Sequence, residues 1–229
     1  MSNRAAGTLL AALVGLCGFL GWRIWVLTQD DFGVAPDIPT TTTLADAAPG
    51  FVTAWRANEE ATYLTFATVG LAGNGVSAFT EDVVVRRNGM MLINRDSSII
   101  FQRDGETETC RQTANELFCT PPEPIGSVEE RVETVEALMV GPDARYQVNY
   151  AATAGCYDLK VDLSKGSVDP DFGLLSTYCF DGGTGALASR SVERVNRVET
   201  YETDGVSAQV RRSDLAELFP AALLDRFFE

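Results

Sequence analysis

The sequence predicts an α+β fold, a β-rich domain with a few helices, preceded by a single membrane-spanning helix. Three observations predict it. An uncharged apolar run opens the chain, short strand-like segments punctuated by Asn-Gly and Asp-Gly fill its centre, and amphipathic helical stretches interrupt and follow them. With 229 residues, one anchor and one ordinary domain is the natural division. Roughly 180 residues remain beyond the anchor and linker, enough to bury a core without metals. A composition of 45% hydrophobic and 22% charged residues is that of a folded protein.

Residues 1–4 form a short N-terminal end expected in the cytoplasm, and residues 5–27 form the predicted span. From Ala5 to Trp22 there is no charge, and at 1.5 Å per residue this run covers ~27 Å, close to the hydrocarbon thickness of a bilayer. Arg23 lies between Trp22 and Trp25, where its head group can reach the lipid surface while the tryptophans sit at the interface. Arg4 before the span, and Asp30 and Asp31 after it, favour an inside N-terminus and an outside domain. A cleaved signal peptide wants a shorter apolar core and a small-x-small site, and the sites here are poor. Lipidation at Cys17 wants a small residue before it, whereas Leu16 precedes it. Cys17 reads instead as a small apolar helix residue.

Residues 28–45 hold two prolines and a run of four threonines, the composition of a spacer. The domain is expected to span 46–212. It opens with Asp46 as a cap, a proline in the first turn and then Phe51, Val52 and Trp55, which together predict a helix. Strand-like segments follow at 61–69, 81–87, 90–95 and 97–103. A glycine-rich turn at 70–75 follows the first of them. Asn88-Gly89, Asp96 and Asp104-Gly105 mark the later reversals.

Cys110 and Cys119 bracket the next turn, and Cys156 and Cys179 lie in two later strands. Four cysteines allow three connectivities. The local pairs, 110 with 119 and 156 with 179, are expected, because each would close its own strand-turn-strand unit. Such bonds place the domain in an oxidising compartment.

Two further helices are predicted. Residues 127–141 start with Ser127 and Glu130 in capping-box spacing. Val128, Val132, Val135 and Met139 make one stripe, and Glu129, Glu133 and Glu136 another that reads as a solvated face. The C-terminal segment 213–229 is apolar and broken by Pro220. It reads either as a piece that docks on the domain or as a partner-binding tail.

Composition also excludes. The chain has no histidine, so Ser-His-Asp and Cys-His catalysis within it are ruled out. Beyond the anchor there are 16 basic against 32 acidic side chains, a balance that repels phosphate backbones and argues against nucleic acid. No C-x-x-C pair supports a metal site. Asp169-Pro170-Asp171 and the glycine-rich stretch from Asp181 lack calcium-loop spacing and read as turns. No catalytic residue, cofactor or metal is predicted, and the chain is not expected to be an enzyme.

FVTAW at 51–55 runs into ATYLTF, then come the cysteine hairpin, the amphipathic helix, CYDLKV at 156–161 and YCFDGGTGALASRSVERV at 178–195. This order resembles the LolA/LppX-like lipoprotein-carrier superfamily, in particular its membrane-anchored, actinobacterial-type relatives. The resemblance covers residues 46 to about 210 and implies a curved antiparallel sheet, a half-barrel, with helices on its concave face. It also implies a groove able to take acyl chains. The anchor is a departure, because a tethered domain cannot shuttle freely.

Leu64, Phe66, Val83, Val85, Ile99, Phe101 and Val135 are the candidate apolar lining. The expected function is that of a membrane-tethered extracytoplasmic domain binding a lipid, acyl chain or other apolar ligand. The alternative is a non-catalytic protein–protein interaction module of a cell-envelope complex, motivated by the acidic surface and the apolar stretch from Leu215 to Phe228.

Overall fold

The structure, a computed structural model, describes residues 47–113, 116–152, 154–166 and 170–229. The expected N-terminal end 1–4, span 5–27 and linker 28–45 lie outside them. Among the described residues no helix is long and apolar enough to cross a membrane.

Helix α1 (Ala47–Glu60) leads into a meander built by short turns. Strands β1 (Tyr63–Gly73) and β2 (Val76–Arg87) meet at Asn74-Gly75, and β2 and β3 (Met90–Arg95) at Asn88-Gly89. Asp96 begins the turn into β4 (Ser98–Arg103), and Asp104-Gly105 joins β4 to β5 (Glu106–Thr113). Asn74, Asn88, Asp96 and Asp104 all have φ between 51° and 54°, the left-handed conformation that short Asn and Asp side chains tolerate and that such hairpins require. The glycine-rich stretch 70–75 is therefore only partly turn, and β1 runs on to Gly73. Gly70 belongs inside the strand because a Cβ there would lie 2.3 Å from Thr200 Oγ1.

Strand β6 (Glu116–Cys119) and the two-residue β7 (Glu123–Pro124) both pair with β5. Helix α2 (Val128–Met139) then carries the chain to a second meander: β8 (Tyr146–Ala151), β9 (Cys156–Val161), β10 (Leu175–Phe180), β11 (Leu187–Glu193) and β12 (Val198–Ser207). The two meanders join through β1 and β12, giving one antiparallel, unclosed sheet in the order β6-β5-β4-β3-β2-β1-β12-β11-β10-β9-β8. Helices α3 (Arg212–Leu215) and α4 (Ala221–Phe228) end the chain, separated at Pro220, which cannot continue a helix from its N-terminal side.

The connection through α2 explains why the sheet is curved. From β5 to β8 is nine strand spacings, ~43 Å if flat, whereas the 12 residues of α2 cover ~18 Å. The chain just before α2 is held to the β4–β5 turn by Ile125 N–H donating to Gly105 O at 2.8 Å, and the chain just after it folds back through Arg145 N–H to Leu138 O at 2.8 Å. The two edges must therefore curl towards each other, with α2 on the inner face. Ser127 and Glu130 form the expected capping box, the Ser127 hydroxyl accepting from Glu130 N–H.

Alternation assigns the side chains. Phe51, Val132, Val135, Met139, Leu159 and Tyr178 belong to a cluster that α1 and α2 share with β8–β11 on the concave face. Five aromatic rings surround Phe51 at 5.6–6.1 Å between centroids. Burial pushes the Tyr178 phenol up to about 12. Further along the same face Tyr63, Ala67, Val84 and Met91 continue the core.

A buried carboxylate links the three layers here. Glu59, at the end of α1, accepts from Arg86 of β2 at 2.9 Å and from Arg131 of α2 at 2.6 Å. Burial alone would raise the Glu59 pKa, but the two guanidinium groups outweigh it and hold it below the usual carboxylate range.

The C-terminal segment corrects one expectation. Not every helix lies on the concave face, because α3 and α4 pack against the convex side of β2–β5 through Leu215, Phe219, Leu223, Leu224 and Phe227. The physical reason is parity: Val85, Leu92 and Phe101 point away from the side occupied by Val84 and Met91, and they need an apolar cover of their own.

The expected disulfides are present as 110–119 and 156–179, with Cα–Cα distances of 3.9 and 4.1 Å. Each joins residues directly opposite on neighbouring strands.

Glu59→Gln leaves two cations without their carboxylate and is expected to cost about 3 kcal/mol at pH 7. A depressed pKa stabilises above the unfolded value of about 4.3 and stops doing so as pH falls through the folded value. The stability gap between wild type and Glu59→Gln, followed by urea unfolding, should therefore be constant near neutrality and close below about pH 4. Replacing Cys156 and Cys179 together by alanine should lower stability by about 2–4 kcal/mol, checked in the same assay.

Candidate functional site

The structure brings six of the seven predicted lining residues together. The strand registers pair Leu64 with Val85 and Phe66 with Val83, and set Ile99 and Phe101, both on β4, two strands beyond Val83 and Val85 on the same side. Leu92 completes the group at 0% exposure. It shares the parity that selected the others and was legible on that ground. Val135 is elsewhere, in the concave cluster with Phe51.

This convex apolar face is occupied by the chain itself. Val85, Ile99 and Phe101 are buried beneath α3 and α4, Leu64 and Val83 lie partly buried at the rim, and Phe66 remains 48% exposed. The depressions flanking the segment hold about 230 Å³ beside Phe101 and Arg226, and about 480 Å³ beside Asn94 and Phe219. Both open to solvent and both have polar side chains in their walls.

The way α4 is held was not evident from sequence. An α-helix ends with carbonyls that lack intrahelical donors. Here Arg103 donates to Arg226 O at 2.8 Å and Arg87 to Phe227 O at 3.3 Å, two cations at the negative pole of the helix. Arg226 in turn meets the buried Glu108 carboxylate at 2.5 Å and stacks 4.7 Å from the Phe101 ring centroid. Asn94 donates to Leu218 O at 2.8 Å. Arg212 pairs with Asp225 and bridges α3 to α4. Nothing marks Arg87 or Arg103 in the sequence, because their partners are 140 and 123 residues away.

The clustered acidic and cysteine side chains have structural partners. Among the described residues, the metal-ligand types that gather are Glu108, Cys110 and Cys119. Both sulfurs are committed to a disulfide and cannot serve as thiolates. The Asp181 carboxylate is a turn element, accepting from Thr184 N–H and Oγ1 at 2.7 Å each, which lowers its pKa. Pro170 O likewise accepts from Gly173 N–H at 2.8 Å in a turn, with Asp169 outside the described residues.

No family model and no curated protein matches the chain. Solved structures similar to it include a DUF1329 family protein from Desulfovibrio piger, at 11% identity and a TM-score of 0.37, covering 78% of this chain and 99% of that one. They also include a LolA superfamily protein from Nitrosomonas europaea, at 6% identity and a TM-score of 0.33, covering 74% and 96%. A third is the MucA/MucB complex of Pseudomonas aeruginosa, at 14% and 0.42, covering 78% of this chain and 62% of that one. The second of these bears the superfamily name that the sequence resembles. Likeness this distant carries nothing about ligand or partner.

Replacing Arg87 and Arg103 together by alanine is expected to lower stability by about 1–2 kcal/mol. Amide hydrogen exchange should quicken across residues 221–229 while the β8–β11 strands keep their protection.

Proposed function

We propose that the chain is a membrane-tethered, extracytoplasmic domain that binds an apolar ligand such as a lipid or acyl chain, and that its C-terminal segment occupies the ligand's place. The reading is of a non-catalytic domain. The observation that supports it is the convex face: alternation alone selects six apolar residues, all six fall on one surface, and α3 and α4 are what cover its centre.

The segment joins β12 through residues 208–211, mostly exposed, so its departure breaks no strand pairing. Local opening of this kind requires less free energy than global unfolding. The face it would leave is apolar in the middle, with Arg87 and Arg103 at one end deprived of their helix carbonyls. A lipid offers both complements, acyl chains for the centre and oxygen-bearing head-group atoms for the arginines. Tethering keeps such a domain next to the bilayer that supplies the ligand.

The test is native mass spectrometry with lipid extraction on the full chain, expressed with its disulfides formed. Acyl species at defined stoichiometry are expected, and their occupancy should rise several-fold when Leu223 and Phe227 are both alanine, which loosens the covering segment and leaves Arg87 and Arg103 in place. Chains that carry no acyl species in either form overturn the reading.

A further inference from the structure

Beyond the edge of α4 the convex face carries a second apolar feature that nothing among the described residues covers. On the solvent side of an antiparallel pair, polar residues are expected. Instead β1 and β2 present Phe66 and Phe79, 48% and 71% exposed. The registers place them on one face, Phe66 opposite Val83 and Phe79 opposite Gly70. Two rows of two residues separate them, about 14 Å. The Phe79 ring lies across Gly70, where a Cβ would meet its Cε1 at 3.1 Å. Covering a bare glycine accounts for that contact, but not for a second exposed aromatic two rows away.

The row between the two rings is charged. Thr68 pairs with Glu81 on one side and Glu202 on the other, so two carboxylates flank it, roughly 10 Å apart. Asp204, at the irregularity of β12 beside Phe66, and Asp96, in the β3–β4 turn, line the same open depression of about 470 Å³, whose walls hold no lysine or arginine. Among the described residues none of these four carboxylates is in a salt bridge, and the cation beside Asp96, Arg95, is already engaged by Asp82. An excess of like charges around an exposed apolar floor favours a cation that also brings apolar surface.

We propose that the strip from Phe66 to Phe79 is a docking surface for a cationic amphipathic segment of a partner protein. That segment places two apolar side chains about 14 Å apart with a lysine or arginine between them. The strip adjoins the face under α3 and α4 and shares Phe66 at its rim, but Glu81 and Phe79 lie beyond that face, and the proposal does not depend on the ligand-binding reading.

The test immobilises the full chain and measures binding of a synthetic leucine–lysine amphipathic peptide by biolayer interferometry at 0.15 M salt. A lysine–serine peptide of equal charge is the control. The amphipathic peptide should bind at least tenfold more tightly than the control. Phe79→Ser or Glu81→Lys should weaken it at least tenfold with an unchanged melting temperature, and Phe79→Ser should leave the control unaffected. Equal binding of the two peptides, or indifference to both substitutions, overturns the proposal. So does sedimentation showing that the chain self-associates through this strip, with dimers lost in Phe79→Ser, because the occupant is then a second copy.

Discussion

One carboxylate holds the layers of this domain in register. Glu59 receives Arg86 from the sheet and Arg131 from α2, so the first helix, the connection helix and the second strand share a single buried charge. Ion pairs away from water are weak sources of net stability, yet severe when broken. Their contribution here is specificity. A slide of α1 along the concave face would move its apolar side chains onto other apolar neighbours at little loss, but it would strand Glu59. The aromatic cluster around Phe51 gains its fixed geometry from that pin.

With α1 and α2 so fixed, the curvature of the sheet is no longer free. The second helix is too short to cross a flat sheet of this width, and the concave side closes on it. The convex side is left with an apolar stretch that the sheet's own parity creates and that the last segment of the chain covers. The disposition of α3 and α4 is thus a consequence of the first half of the molecule. So is the uncovered strip beyond them, since eight helical residues do not reach the β1–β2 end of the face.

Much of this was legible in the sequence, for local reasons. Asn88-Gly89, Asp96 and Asp104-Gly105 announce the hairpins because their backbones need a positive φ that few residues adopt. Ser127 with Glu130 announces the start of α2 for an equally local reason. The parity of Leu64, Phe66, Val83, Val85, Ile99 and Phe101 showed that they share a face, but not which face or what covers it. Those answers depend on partners more than a hundred residues away, as the Arg87 and Arg103 contacts show. Gly70 misled because a glycine admitted for close packing against Thr200 looks, in sequence, like a glycine admitted for a turn. Val135 lay beyond the reach of strand parity altogether, being on a helix whose apolar stripe could have faced either side. Glu59 sits beside Glu60, and nothing local distinguishes the buried carboxylate from the exposed one.

The open ends of the sheet have their own significance. An unclosed sheet has two outermost strands, each offering a row of unsatisfied backbone groups to any other strand that comes by. The bridge at 110–119 ties down the four-residue β6 at one end, and the bridge at 156–179 braces β9 against β10, directly behind β8, at the other. The cross-links therefore stand guard at the borders rather than in the middle, and their office is social as much as structural. Oxidised, the molecule keeps its margins to itself; reduced, it would expose sticky selvedges to its neighbours while its interior was still intact.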